Sequence, residues 1–444
     1  MLLNYLKGHL RAQFFYPLTE RFLKRDIRGK LAKIKQHYQL PFVMRQKVAQ
    51  EQLVKIVSFA GKEVPFYRDL FKSIRFNPEK LLEDLAFLQD IPYLTKDILR
   101  NEGERLLSKP LKEVRHHACK TGGSTGLSAV IYYDQEAMDY SAAATLFARG
   151  SIGKKQSMSE LHFASRFPEA FPLRDRLREH VKCFVMNRSN IFFDKLDEHS
   201  LEIIWQTLKK KRPYLVHAHP STLYALACYV EKKEGKKRVF SVFESSGELL
   251  VSYMQEKIQK IFSCHVIDRY GLAEFGVIAY QTDLSFKEKN SLRVFDSEGW
   301  MEMMPSSHPN EPSEIVFTGF RNYLMPLIRY RTGDLGVLSK TSLGWELSHL
   351  VGRIHDIVSI GGVQYATHTV QDILDRVGGI QEFQIDLRHT LPKLLLVPEV
   401  SAKPDEIKAR LQGFWADALE ILFVGHDDLI RVGHRAKFRH VVQS

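Results

Sequence analysis

The stretch SCHVIDRYGLAE, Ser263 to Glu274, changes character at its middle. Its first half is a short apolar run bounded by polar residues, the pattern of a buried strand. Its second half sets an aromatic, a glycine and a carboxylate (Tyr270, Gly271 and Glu274) in what reads as a turn. Open α/β sheets take up ligands beyond the carboxyl ends of their strands, so this is a candidate ligand site, although read alone the segment is more often a turn with a solvated glutamate. Outward from this point similar runs recur as SAVIYYD, YLVHAH, RVFSVFES and SEIVFTGF. Amphipathic segments such as STLYALACYVEKK and VSYMQEKIQKIF stand between several of them. Strands alternating with helices predict a layered α/β domain.

Two further zones frame this core. Residues 1–115 read as mainly helical, interrupted at Pro65, Pro78, Pro92 and Pro110. From residue 353 the pattern restarts: IHDIVSIGGVQY suggests a hairpin, HTVQDILDRV a helix, LPKLLLVPEV a strand and PDEIKARLQGFWADALE a second helix. The expected organisation is α/β: a large multi-layer domain built from the helical region 1–115 and the core 116–352, then a small α+β lid over 353–444, a size sufficient for a separate unit.

Composition excludes several classes. The 444 residues are 44% hydrophobic and 26% charged, which rules out disorder along the whole chain. No apolar run approaches the roughly 20 residues of a spanning helix. Cys119, Cys183, Cys228 and Cys264 lie far apart without C-x-x-C spacing. This argues against a disulfide framework or a cysteine-based zinc site and suits a reducing cytoplasm. The start, MLLNYLKGHLR, lacks the features of a signal peptide. The net charge of +12 is uneven, because residues 1–40 hold nine basic residues against Glu20 and Asp26. Leu2, Leu3, Leu6, Leu10, Phe14 and Phe15 interleave with them at near-helical spacing. Such a helix can lie on an anionic membrane surface or meet an acidic partner, or it can simply pack on the main body. No zinc finger, RNP-type aromatic motif or helix-turn-helix pattern points to nucleic acid.

Four segments carry chemistry. In Thr121-Gly122-Gly123-Ser124-Thr125-Gly126 the glycines let successive N–H groups turn toward one point, and the hydroxyls add donors. That composition makes a phosphate nest or, read alone, a flexible turn. It is not a Walker loop. Tyr270 can stack on a base, and Glu274 can hold Mg²⁺ against a triphosphate. In Tyr330-Arg331-Thr332-Gly333-Asp334, the Asp334 carboxylate can accept hydrogen bonds from ribose hydroxyls. Val351-Gly352-Arg353-Ile354-His355-Asp356 falls where the small unit begins and reads as a hinge.

Taken in order, YGLAE, YRTGD and GRIHD resemble the adenylate-forming superfamily of acyl- and aryl-CoA synthetases. VPFYRDLF, IPYLTKDILRNE, HAHPSTLYALA and ESSGELL narrow the resemblance to its phenylacetate–CoA ligase and CapK-like branch. The resemblance implies that a carboxylate attacks the α-phosphate of ATP to give an acyl-adenylate and pyrophosphate. A second nucleophile, CoA or an acyl carrier protein thiol, then displaces AMP. It further implies that residues 121–126 grip the β- and γ-phosphates, that Ser246, Gly247 and Glu248 line the adenine with Tyr270 against its face, and that Glu274 holds Mg²⁺. Asp334 is then expected at the ribose and Arg353 near the ribose or phosphates. Lys437 in RAKFRHVV is the expected charge clamp for adenylation, and Gly362 the position where a pantetheine arm passes. His217, Tyr224 and Ala273 are expected at the acid pocket, with His219 and the segment 163–175 near it.

This chain departs from the pattern at His355, where the family hinge carries aspartate and Asp356 follows, and at Ala436, where a glycine commonly precedes the lysine. Neighbouring Arg435 and Arg439 are charged bystanders on this reading. Two rivals stay open: an adenylyltransferase that releases an adenylylated product, and a silent nucleotide-binding module in capsule or polysaccharide assembly. The acid, the acceptor and the oligomeric state, for which a dimer is one allowed form, are not legible in the sequence.

Overall fold

The computed structural model describes the chain except residues 1, 121–128, 166–172, 194–197, 283–290, 307–310, 352–356, 367–369, 371–372, 375–376, 400, 416, 433–436, 439 and 444. Apart from the hairpin His116–Lys120 with Val130–Asp134, the described strands of the central α/β zone fall into two sheets. One is a parallel sheet of five strands, ordered in space Arg188–Phe193, Glu160–Ser165, Leu215–Ala218, Val242–Ser245 and His265–Ile267. The order reverses between Glu160–Ser165 and Leu215–Ala218, which is a topological switch point. Helices Glu198–Lys211, Pro220–Glu234 and Ser252–Phe262 cover one face, where Leu161, Val216, Phe243, Trp205, Leu223 and Ile258 form a dry core.

The second sheet has seven strands, ordered Gly299–Met303, Ser313–Gly319, Tyr330–Lys340, Trp345–Val351, Leu292–Val294, Gly276–Tyr280 and Arg269–Leu272, and it is antiparallel throughout. The run SCHVIDRY therefore is not one strand. It ends the parallel sheet at Ile267 and opens the antiparallel sheet at Arg269, with Asp268 as the joint. Helix Gln135–Ser151, capped by Asp134 Oδ1 accepting from the Ala137 N–H at 2.8 Å, packs against the strand Gly276–Tyr280.

The N-terminal helices supply a second core. Phe42–Glu63 buries Leu53, Ile56, Val57 and Ala60 against Tyr67, Ile91 and Leu94, and against Leu324, Ile328 and Tyr330 of the antiparallel region. The segment IPYLT is tied there by backbone. Leu94 N donates to Arg329 O at 3.0 Å, and Arg331 N donates to Leu94 O at 2.9 Å. Thr95 then caps the helix Lys96–Glu102.

Toward the C-terminus, hairpin Ile357–Ile360 with Val363–Ala366 precedes a four-stranded sheet. Its spatial order is Glu420–Phe423, Lys393–Pro398, Ile380–Asp386 and Val441–Val442. With helix Pro404–Trp415 it forms a core of its own around Phe383, Ile385, Leu394, Leu396, Leu411 and Trp415.

Candidate active site

The segments YGLAE and YRTGD meet by exchanging hydrogen bonds. Tyr270 Oη donates to Asp334 Oδ2 at 3.0 Å, and Tyr330 Oη donates to Glu274 Oε1 at 2.8 Å. Each tyrosine thus holds the other segment's carboxylate. Gly271 permits the tight pairing of Arg269–Leu272 with Gly276–Tyr280, since a Cβ there would stand 2.5 Å from Gly276 O. Across the site the hairpin strands His116–Lys120 and Val130–Asp134 pair in register, Lys120 opposite Val130. Tyr133 Oη donates to Ala273 O, tying this hairpin to YGLAE. Residues Thr121 to Gly126 of the phosphate nest, between those strands, lie outside the described residues, as do Arg353, His355 and Asp356.

Glu274 is 5% exposed and takes part in no ion pair among the described residues. A buried carboxylate with one oxygen held by a hydroxyl suits a cation that brings its own phosphate ligands, the usual way Mg²⁺ is held. Among the described residues no group of three or more His, Cys, Asp or Glu is placed to bind a metal by itself.

The loop Ser246–Glu248 leaves the end of Val242–Ser245 with Gly247 at φ +84°. Ser246 N donates to Ala218 O at 3.2 Å, and the Ser221 N–H donates to Glu248 Oε2 at 3.2 Å. His219 packs beneath it. Its Nδ1 lies 2.8 Å from Ser246 O, and a Cβ on Gly247 would stand 2.6 Å from its Cε1. His219, expected near the acid pocket, supports the loop expected to line the adenine.

His217 faces away from the helix-covered core that holds Val216 and Ala218, and belongs to a buried charged group that sequence reasoning missed. Glu244 accepts a forked pair from Arg149 (Nε to Oε1 3.0 Å, Nη2 to Oε2 2.7 Å) and a hydrogen bond from Tyr280 Oη at 2.8 Å; His217 Nδ1 lies 2.7 Å from Oε2. Glu160 receives Arg149 Nη1 at 3.0 Å and Lys154 at 2.7 Å, with His162 Nε2 at 3.2 Å from its other oxygen. Burial opposes ionisation of both carboxyls, yet Arg149 with its neighbours holds both well below the usual range. Burial also pushes His162 down to about 3 and lowers His217, so both rings are neutral near pH 7. The rings sit 4.8 Å apart on neighbouring strands at the switch point, with side chains 17% and 21% exposed. No spacing rule announces this group; a lone glutamate inside the apolar run SVFESS was its one visible trace.

Tyr224 does not join His217. It lies on helix Pro220–Glu234, its ring edge-on to Tyr253 at 5.3 Å and its hydroxyl 3.5 Å from Gln381 O of the C-terminal sheet. Gly362 occupies a hairpin turn with Gly361, at φ +59° and +80°, the sign that a type I′ turn requires. Open space lies where its Cβ would point. Lys437 falls in a two-residue strand opposite Val432, and its side chain is outside the described set, as are Arg435, Ala436 and Arg439.

The chain has the fold of the adenylate-forming acyl-CoA ligases, a large domain followed by a small C-terminal one. It matches 2-hydroxyisobutyryl-CoA ligase in the postadenylation state, in complex with R3-HIB-AMP, with a TM-score of 0.72 at 17% identity over 91% of this chain and 90% of that one. Against the same enzyme in its thioesterification state the TM-score is 0.60. Among sequences, the chain is 22% identical to protein CapK of Staphylococcus aureus over 346 residues, 75% of this chain and 72% of the relative. It is 26% identical to phenylacetate-coenzyme A ligase of Thermus thermophilus over 390 residues, 82% and 83% of the two chains. No family model matches. Among the described residues no helix is long and apolar enough to cross a membrane.

Proposed function

We propose that this protein is an AMP-forming ligase that activates a small carboxylic acid with ATP and passes the acyl group to a thiol, CoA in the first instance. The observation that carries the proposal is the reciprocal exchange between Tyr270–Asp334 and Tyr330–Glu274, which locks two distant segments into one polar site. In this reading Asp334 receives the ribose hydroxyls, and the loop Ser246–Glu248, braced by His219, lines the adenine. Tyr270 stands against its face. The loop 121–126 and Arg353 bind phosphate and ribose oxygens. Mg²⁺ held by Glu274 would neutralise charge on the phosphates while the α-phosphorus is attacked. Lys437 donates to the oxygens on which negative charge builds, a role for a compact charge on a flexible stem. The names of the relatives, CoA ligases acting on phenylacetate and 2-hydroxyisobutyrate, support the acid-plus-CoA assignment. Residues 353–444 serve as the lid, turning about His355 and Asp356 between the two half-reactions, and Gly362 leaves room for the pantetheine arm.

The test is ATP–pyrophosphate exchange over a panel of aryl, hydroxy and fatty acids. Exchange with one class, followed by AMP release on adding CoA, is the expected result. Stable adenylylated product without AMP release would identify an adenylyltransferase. No exchange with any acid would leave a nucleotide-binding module without catalysis.

A further inference from the structure

Helix Leu2–Leu10 runs without a break through a π-helical turn, Arg11–Phe15, into helix Tyr16–Phe22; Leu10, Phe15 and Tyr16 are all right-handed helical. One side of this rod is fixed to the protein. Gly8, Ala12, Tyr16 and Glu20 are buried at four-residue intervals. A Cβ on Gly8 would stand 2.2 Å from Ser157 O, Tyr16 packs with Ile27, Ile34 and Tyr140, and Arg11 donates to Asn187 Oδ1 at 2.6 Å. The other side carries Leu6, Leu10, Phe14, Leu18 and Phe22, also four apart and exposed by 54 to 84%. In an ordinary α-helix a four-residue row drifts by about 40° per step. The wider π turn, Arg11–Phe15, offsets part of that drift, and the two rows persist along the rod, one buried and one outward.

A second helix extends the outward face. Leu173–Val185 exposes Leu173, Leu177, Val181 and Phe184, and its Phe184 ring receives the Arg11 guanidinium at 4.5 Å and the edge of Phe15 at 5.4 Å. These two elements hold nine of the nineteen exposed large hydrophobic side chains among the described residues, so the patch is concentrated. The segments 6–28 and 173–185 carry ten cations, among them exposed Lys7, Arg21, Lys24, Arg174, Arg176 and Arg178, against four acids. Two such faces brought together would set like charges against each other, which disfavours a second copy as occupant.

We propose that this two-helix face docks the protein on an anionic lipid surface. The apolar rows enter the boundary between headgroups and acyl chains, and the flanking basic residues meet lipid phosphates. This inference stands independently of the catalytic reading. The test is co-flotation of the full chain with vesicles of equal parts phosphatidylserine and phosphatidylcholine, alongside vesicles of phosphatidylcholine alone. Binding to the mixed vesicles, weak binding to the neutral ones and release in half-molar salt are expected. The pair Leu10→Glu and Phe14→Glu, and separately Leu177→Glu, should each lower the bound fraction roughly tenfold without changing thermal unfolding, since all three sites are exposed. No flotation with the anionic vesicles, or flotation unchanged in these variants, overturns the proposal. So does a dimer in sedimentation that the same substitutions dissociate.

Discussion

Tyr253 Oη donates to Glu382 Oε1 at 2.5 Å, joining helix Ser252–Phe262 of the large domain to the strand Ile380–Asp386 of the C-terminal sheet. The contact buries Glu382 to 3% exposure. It lies within electrostatic reach of Glu248 in the loop expected at the adenine and of Arg431 from the C-terminal side, with His440 Nδ1 3.7 Å away. The position of the small domain is thereby linked to a carboxylate of the loop Ser246–Glu248.

This contact should respond to pH. Burial, reinforced by Glu248 and offset in part by the Tyr253 hydroxyl, pushes the Glu382 carboxyl up to about 8 from an ordinary 4.5. A raised carboxyl pKa means that the docked form holds more protons than the undocked one between those values. Docking is therefore strongest at low pH and weakens as pH rises from about 4.5 to 8, then levels off. Fluorescence transfer between labels on the two domains should follow that curve, and Glu382→Gln should flatten it. A wild-type profile without slope in that window would remove the coupling.

Glu274→Gln should cost on the order of a hundredfold in the adenylation rate and shift the Mg²⁺ titration to higher concentration, because a buried carboxylate becomes neutral while the Tyr330 hydrogen bond has an acceptor left. An unaltered magnesium titration would place the cation elsewhere.

Lys437→Ala should reduce adenylation by roughly 10²-fold or more while leaving thioester formation from a supplied acyl-adenylate largely intact. Single-turnover measurement of the two half-reactions separates them, and equal losses would refute the assignment.

Gly247→Ala brings a methyl group to 2.6 Å from His219 Cε1 at a backbone φ that alanine resists. KM for ATP should rise about tenfold with a smaller change in kcat, as expected for loss of uniform binding. Isothermal titration with ATP checks this, and unchanged affinity would take the loop away from the nucleotide.

Arg149→Met leaves Glu244 and Glu160 buried without their chief cation. A loss of about 3–5 kcal/mol is expected for breaking a buried ion pair from one side, read as a lower denaturation midpoint in urea. Full stability in the variant would show that Lys154, Arg269 and the histidines suffice.

The sequence patterns led to the α/β class, the hairpin Ile357–Ala366 and the helix Pro404–Trp415, because each rests on local periodicity or on a pair of turn glycines. They also picked out YGLAE and YRTGD, whose contact the structure then displays. What stayed hidden was tertiary. The break at Asp268 could not be read from SCHVIDRY, since polar residues after an apolar run read as the end of one strand, and only pairing partners show that a second begins at Arg269. Nor could alternation along YLVHAH assign roles to its two histidines: two residues apart, one meets Glu244 and the other braces Gly247. The group around Arg149 draws on five separate elements, so no window of sequence contains it.

The crossed pairing of Tyr270 with Asp334 and Tyr330 with Glu274 also restricts how this protein can vary. A phenylalanine at either tyrosine would remove a hydrogen-bond donor from a carboxylate in the other segment, so damage in one segment is felt 64 or 56 residues away. Descendants should therefore keep the quartet or lose it as a block, and on the proposed function a lineage that discards it should be the one that no longer activates acids with ATP.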